Sequence, residues 1–317
     1  MSLSNLIRLP NLKSPLKSVI VRVSQKCGYK ITRIDRKLGT GIIDLSDITC
    51  DPVEAFYRAG FSGTSNKNSW VVIKVNSSLT RSPYMLSISP DGDVPDPFVR
   101  DVQNYFDNYP KVPDFKNSSL YNYYQVWQPA NAAEYLGIAS HSSVSNELLC
   151  VPPFGSVLPW DWDSPGERLK GSNIGTEGWQ HCGPISEDKA FSEFLRFMNT
   201  AKSIYDNGYQ RTIESLDGDI AGTVLVSGSE FRVLIEDGCH RYAVLMALNY
   251  PSIPFCLRRW PLLVRREDAL SWPNVVSGLF SSGLALSIFD RLFAGKQQPE
   301  YLSLIKKQSC NNSSDQS

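Results

Sequence analysis

Apolar residues recur along this chain in two rhythms, and the change from one to the other marks where its elements begin and end. "LKSVIVRV", "YKITRI", "GTGIIDLS" and "SWVVIKV" are short runs rich in valine and isoleucine between turn residues, the pattern of strands. "DPVEAFYRAG", from Asp51 to Gly60, combines an N-cap aspartate, a proline at the first helical position and a glycine stop, which predicts a short helix. Among the prolines and aspartates between Ser82 and Phe115, "DPFVRDVQNYF" predicts another. Residues 116–180 are aromatic and polar without a clear period and read as an irregular layer.

The clearest helical rhythm follows Gly183. Phe191, Phe194, Leu195, Met198, Ala201, Ile204 and Tyr205 fall at three- and four-residue steps, with Ser186 as N-cap and Gly208 as stop. "DIAGTVLVSG" and "EFRVLIEDG" then read as two strands joined by a Ser-Gly turn, "CHRYAVLMAL" as a helix and "SIPFCLRRW" as a further strand. Beyond residue 262, "REDALSWPNVVSGLF" and "SSGLALSIFDRLFAG" read as helices, the second with Leu284, Ala285, Ile288, Phe289, Leu292 and Phe293 on one face; the tail from Lys296 is polar and reads as disordered at its end. Short strands interleaved with amphipathic helices predict an α+β protein. We expect an N-terminal α/β lobe over residues 1–175, a compact unit with a small mixed sheet over 176–262, C-terminal helices over 263–298 and a polar tail over 299–317.

Composition narrows the class. Lysine plus arginine balances aspartate plus glutamate at 32 each, so no net field would hold the whole surface on nucleic acid or an anionic membrane. The seven cysteines are scattered, odd in number and free of CxxC pairs, which signals neither a disulfide scaffold nor a zinc ribbon. Pro10 and Pro15 break the N-terminal stretch, and no apolar run reaches membrane-spanning length. A reduced, cytoplasmic chain with no membrane partner is the expectation.

Chemistry gathers at "VLIEDGCHRYAVLMAL", residues 233–248, where a β-branched strand stops at Asp237-Gly238 and a helix opens with Cys239, His240 and Arg241. A helix that starts there presents free N–H groups and the positive end of its dipole, and anions bind such ends. Gly238 admits close approach to the backbone, and Arg241 adds a charge suited to phosphate oxygens. The same field would raise the thiolate fraction of Cys239. The plainer alternative is a helix capped by Asp237, with Cys239 buried and Arg241 at the surface. His181-Cys182 with Cys239-His240 could form a zinc tetrad, although neither pair has ordinary ligand spacing. The aromatics of "YNYYQVW" and "PPFGSVLPWDWDSPGER" fit either a sugar or base platform or, more commonly, packing in a loop-rich layer.

The order of elements around "EDGCHRYAVLMALNYPSIPFCLRR" resembles the ParB/sulfiredoxin superfamily, in which a strand, a Gly-x-His-Arg type turn, an Ala-rich helix and a short strand form a nucleotide phosphate site. Cys239-His240-Arg241 is closest to sulfiredoxin; Asp237-Gly238 with His240-Arg241 is closer to members carrying Asp-Gly-x-His-Arg, among them the free serine kinase. "GPISEDKAFSEFLRFMNTAKSI" matches the superfamily's opening turn and helix in position, which would bring Glu187, Asp188 and Lys189 near the phosphates. The resemblance covers about residues 180–260. It departs where Gly-Pro-Ile-Ser stands for an Arg-Pro pair and Asp237 for a glycine.

Three chemistries follow. The first is phosphoryl transfer from ATP or another nucleotide, with Mg2+, to a small hydroxylated metabolite or sugar: Lys189, Gly238, Cys239, His240 and Arg241 would cradle the phosphates, and Glu187, Asp237 and His240 would be catalytic. By resemblance to the serine kinase, Glu187 is preferred as base. The second is a sulfiredoxin-like, ATP-dependent reductase with Cys239 as nucleophile. The third is a ParB-like nucleotide switch on DNA, without catalysis, weakened by the balanced charge and the absence of a recognisable helix-turn-helix with a basic face; a non-catalytic nucleotide-binding module is a further alternative.

Overall fold

The computed structural model describes residues 42–44, 71–82, 96–171, 174, 176–210, 220–257, 263–298 and 301–302. The strands expected before residue 42 and the helix expected at 51–60 lie outside them. Helices α1 (Pro97–Asp107), α2 (Ser119–Val126), α3 (Ala132–Tyr135), α4 (Asn146–Cys150), α5 (Pro165–Gly171), α6 (Glu187–Asn207), α7 (Cys239–Ala247), α8 (Pro273–Val276) and α9 (Ser282–Ala294) surround one sheet. That sheet is built from β1 (Ile42–Asp44), β2 (Val71–Asn76), β3 (Thr80–Arg81), β4 (Ala221–Ser227), β5 (Glu230–Asp237), β6 (Ser252–Leu257) and β7 (Leu263–Arg265). The protein is of mixed α and β class.

Strands run in the order β1-β2-β6-β4-β5-β3, with β7 beside β4. The pairs β2–β6 and β4–β5 are antiparallel, whereas β1–β2, β3–β5, β4–β6 and β4–β7 are parallel, so the sheet is mixed. Both faces of its centre are buried. Val224, Val226, Val233 and Ile235 point into a core shared with α1, α2, α6 and α7. Leu225 and Leu234, alternating with them, point into a second core with α9 and Trp160. A strand covered on both sides reads as a continuous apolar run, as "AGTVLVS" does. Gly222 is required within it, because a Cβ there would lie 2.0 Å from the Leu234 carbonyl oxygen.

Strands contributed by β2 and β3 on one side of residue 175, and by β4 to β6 on the other, belong to this one sheet, and α9 covers it. α6 keeps the expected Ser186 cap, whose Oγ accepts from the Lys189 N–H, and ends at Gly208. Its buried face is rotated from the expected one: Ala190, Phe194, Phe197, Met198, Ala201 and Ile204 are inside, whereas Phe191, Leu195 and Tyr205 are exposed. Residues 116–180, expected to be irregular, contain α2 to α5. On the C-terminal side Gln298 and Tyr301 are buried, the tyrosine ring edge-on to Trp127. No described helix is long and apolar enough to cross a membrane.

Candidate functional site

β5 ends at Asp237, and Gly238 turns the chain with φ 71° and ψ 27° in the left-handed region. That conformation strains any residue with a Cβ, and glycine adopts it freely. The Gly238 N–H donates to Asp237 Oδ1 at 2.7 Å, so the aspartate closes the turn locally. The N-cap residue of α7 is Gly238, which carries no side chain of its own to cap the helix. The dipole of α7 favours an anion at this end.

The turn opens onto a cleft of about 1030 Å³, lined by Asp237, Gly238, Cys239, His240 and Arg241. Across it, α6 contributes Glu193, Arg196 and Thr200. Glu187 and Lys189 do not line this cleft. Glu187 pairs with Lys116 at 2.7 Å with both side chains exposed, and Lys189 Nζ donates to the Gly178 carbonyl at 2.5 Å. The residues of α6 that reach the turn stand further along the helix, at 5.4 Å per turn. Arg196 holds Glu193 at 2.5 Å, and Arg168 of α5 holds Asp161 at 3.0 Å on another wall. Arg241 lines both the cleft and a neighbouring groove along α6. At the end of β5, Glu236 Oε1 accepts from Thr223 Oγ1 at 3.1 Å.

Both histidines of the cleft are held neutral. Burial, and after it Arg196 and Arg241, pushes His240 down to about 4; its ring lies 4.9 Å from that of Phe197. Burial, and after it His240 and Arg196, pushes His181 down to about 3. A neutral imidazole donates one N–H and accepts at its other nitrogen, so near neutral pH His240 offers a hydrogen bond and no charge. Positive charge in the cleft comes from arginine. Cys239 is half-buried and lines the cleft, whereas Cys182 is buried, which pushes its thiol up to about 12. Among the described residues, no group of three or more histidine, cysteine, aspartate or glutamate side chains is placed to hold a metal ion. Glu236 and Asp237 both line the cleft, and two hard oxygen donors are of the kind that Mg2+, which takes few protein ligands and completes its shell with water and phosphate oxygens, would need.

Sequence reasoning missed Arg168, Glu193 and Arg196. One signal for Arg168 was available in "SPGERLK", a capping box in which the Ser164 N–H donates to Glu167 Oε2 at 2.8 Å and the Glu167 N–H donates back to Ser164 Oγ at 3.3 Å. No protein-family model matches the chain, and neither a curated protein nor a solved structure matches it.

Proposed function

We propose that the chain is a nucleotide-dependent phosphotransferase acting on a small hydroxylated metabolite or sugar. One observation carries the reading: the N-terminus of α7, opened by the left-handed Gly238, lines a cleft with Arg241 in the same turn and Arg196 in the same lining. The succession of β5, glycine turn, α7 and β6 supports kinship with the ParB/sulfiredoxin superfamily. Phosphates of ATP or another nucleotide would lie on the α7 N–H groups and Arg241, with Mg2+ supplying further charge neutralisation beside Glu236 and Asp237. Asp237 or Glu236 would take the proton of the acceptor hydroxyl as its oxygen bonds to phosphorus and the bond to the nucleoside diphosphate breaks. Glu187, paired with Lys116 outside the cleft, is replaced in this role. The neutral His240 would orient a phosphate oxygen through its N–H.

Cys239 supports a second reading. Its thiol lines the same cleft, and an ATP-dependent reductase would use it as a nucleophile. One assay separates them: nucleoside diphosphate release from ATP and Mg2+ across a panel of polyols, sugars and amino acids. As a phosphotransferase, the protein keeps substantial turnover in Cys239→Ser and loses about 10²- to 10⁴-fold in Asp237→Asn. Arg241→Ala weakens nucleotide binding by about 1.5–3 kcal/mol, read by calorimetry. Activity abolished by Cys239→Ser but kept in Asp237→Asn would select the reductase. Binding without acceptor-stimulated release would leave a nucleotide switch.

A further inference from the structure

The lining of the cleft also has aromatic side chains. Trp162 and Phe154 belong to it, with Asp163 and Glu167 in the same lining. Trp162 is 66% exposed, although two residues earlier Trp160 is 1% exposed. Tryptophan gains more than most side chains from burial, so one held out at the mouth of a cleft has a face to offer.

The loop that carries Trp162 is fixed independently of it. Asn274, itself buried, donates through Nδ2 to the carbonyls of Leu158, Asp161 and Asp163 at 3.0, 3.0 and 3.2 Å. Its backbone N–H donates to the Pro159 carbonyl at 3.0 Å. Asp161 Oδ2 accepts from the Leu158 N–H at 2.8 Å and from Arg168 at 3.0 Å, and the Trp160 ring lies edge-on to Trp272 and Phe289. Trp162 takes no part in these bonds. Its backbone is therefore set before any ligand arrives, and a ligand that stacks on it has little backbone disorder to remove.

We infer that Trp162 is a stacking platform for the base of the nucleotide, so that one cleft takes the nucleoside at Trp162 and its phosphates at Gly238–Arg241. The inference rests on the nucleotide reading above. A shared lining carries it: the α7 N-terminus with Arg241 suits phosphates, and the same cleft presents a flat, exposed aromatic face on a separately fixed loop. Asp163 and Glu167 can accept hydrogen bonds from the amino group of a base or from ribose hydroxyls, and the Asp163 side chain, 61% exposed and 4.0 Å from Arg168 Nε, is open to such a donor.

Calorimetry of the full chain with ATP, adenosine and inorganic tripolyphosphate tests it. Trp162→Ala weakens ATP and adenosine by about 5- to 150-fold, the range of one base stacked on an aromatic ring, and leaves tripolyphosphate unchanged. Trp162→Phe restores most of the loss. Arg241→Ala does the converse, weakening ATP and tripolyphosphate while sparing adenosine. Because Trp162 is exposed, its replacement keeps the unfolding midpoint of the wild type. ATP bound equally by Trp162→Ala and wild type, with Arg241→Ala still impaired, would overturn the platform and leave the phosphate reading standing. Adenosine lost in Trp162→Ala without tripolyphosphate binding to the wild type would do the reverse. A wild type that binds neither adenosine nor ATP, or that binds free sugars in a Trp162-dependent way but not adenosine, removes the base site.

Discussion

Asp237, Gly238, Cys239, His240 and Arg241 were legible as a group because everything that brings them together is local: a strand end, a left-handed glycine and the first turn of a helix. Glu187 and Lys189 stand outside the cleft lining, with partners of their own, because distance from that turn depends on how α6 lies across the sheet, which spacing along one helix does not encode. Local spacing also says nothing of protonation. The unfolded chain has histidines near the ordinary value of 6.5, while the folded protein holds His240 at about 4 and His181 at about 3. Between about pH 6.5 and 4 the unfolded state therefore binds protons that the folded state does not, and stability falls as the solution is acidified. The slope is at most about 1.4 kcal/mol per pH unit for each ring, and the surface each keeps toward the cleft lowers it. Asp96, raised by burial to about 6, acts in the opposite sense between 3.8 and 6, because there the folded state holds the proton. Comparing wild type with His240→Gln isolates the histidine. In urea unfolding at about pH 6.5 and 4.5 the wild type is expected to lose about 1–2 kcal/mol more than the variant, and equal losses would show that the folded protein accepts a proton at His240.

Among the elements, long periodic segments were read correctly and short ones were missed. α6, α7 and α9 have enough turns to display a stripe, and β4 and β5 enough β-branched residues between turn signals. Even so, the stripe of α6 was drawn too far to one side: Phe194, Met198, Ala201 and Ile204 are buried, but Phe191, Leu195 and Tyr205 satisfy the period and lie on its exposed flank. Helices of four to eight residues show too little of a period to be seen. Their caps were visible nonetheless: Ser118, Asn131 and Ser145 each accept an N–H three residues on, and Glu134 reaches back to the Ala130 N–H at 2.7 Å. No local pattern marks Asn274, whose partners lie 111 to 116 residues earlier. Asn274→Ala leaves three carbonyls without this donor, at a cost of about 1–3 kcal/mol for each that water does not reach. We expect a lower urea midpoint and a Trp162 more accessible to acrylamide quenching in this variant. A midpoint matching that of the wild type would mean that water replaces the amide completely.

At the scale of the molecule, the mixed α and β class was legible from alternating rhythms, but the pairing of strands was not, since neither face alternation nor turn chemistry names a partner far along the chain. β6 runs antiparallel to β2, and β5 pairs with β3. The α7 helix packs in one core with α1 and α2. A fragment of residues 176–262 would lose all of these partners, exposing the edge of β6 and the apolar face of α7. It is expected to show no cooperative thermal transition and no near-ultraviolet circular dichroism, while the full chain shows both; a cooperative transition in the fragment would show that its own contacts suffice. The β2–β6 partnership also has a bearing on how the chain is made. The N–H of Ser77, at the end of β2, donates to the carbonyl of Pro251, 174 residues away. On a ribosome adding roughly 5–20 residues per second, β2 would emerge about ten to thirty seconds before the strand that completes it. During that interval a valine- and isoleucine-rich edge stands open to the surrounding cell, and a holding chaperone has its natural target in "VVIKV".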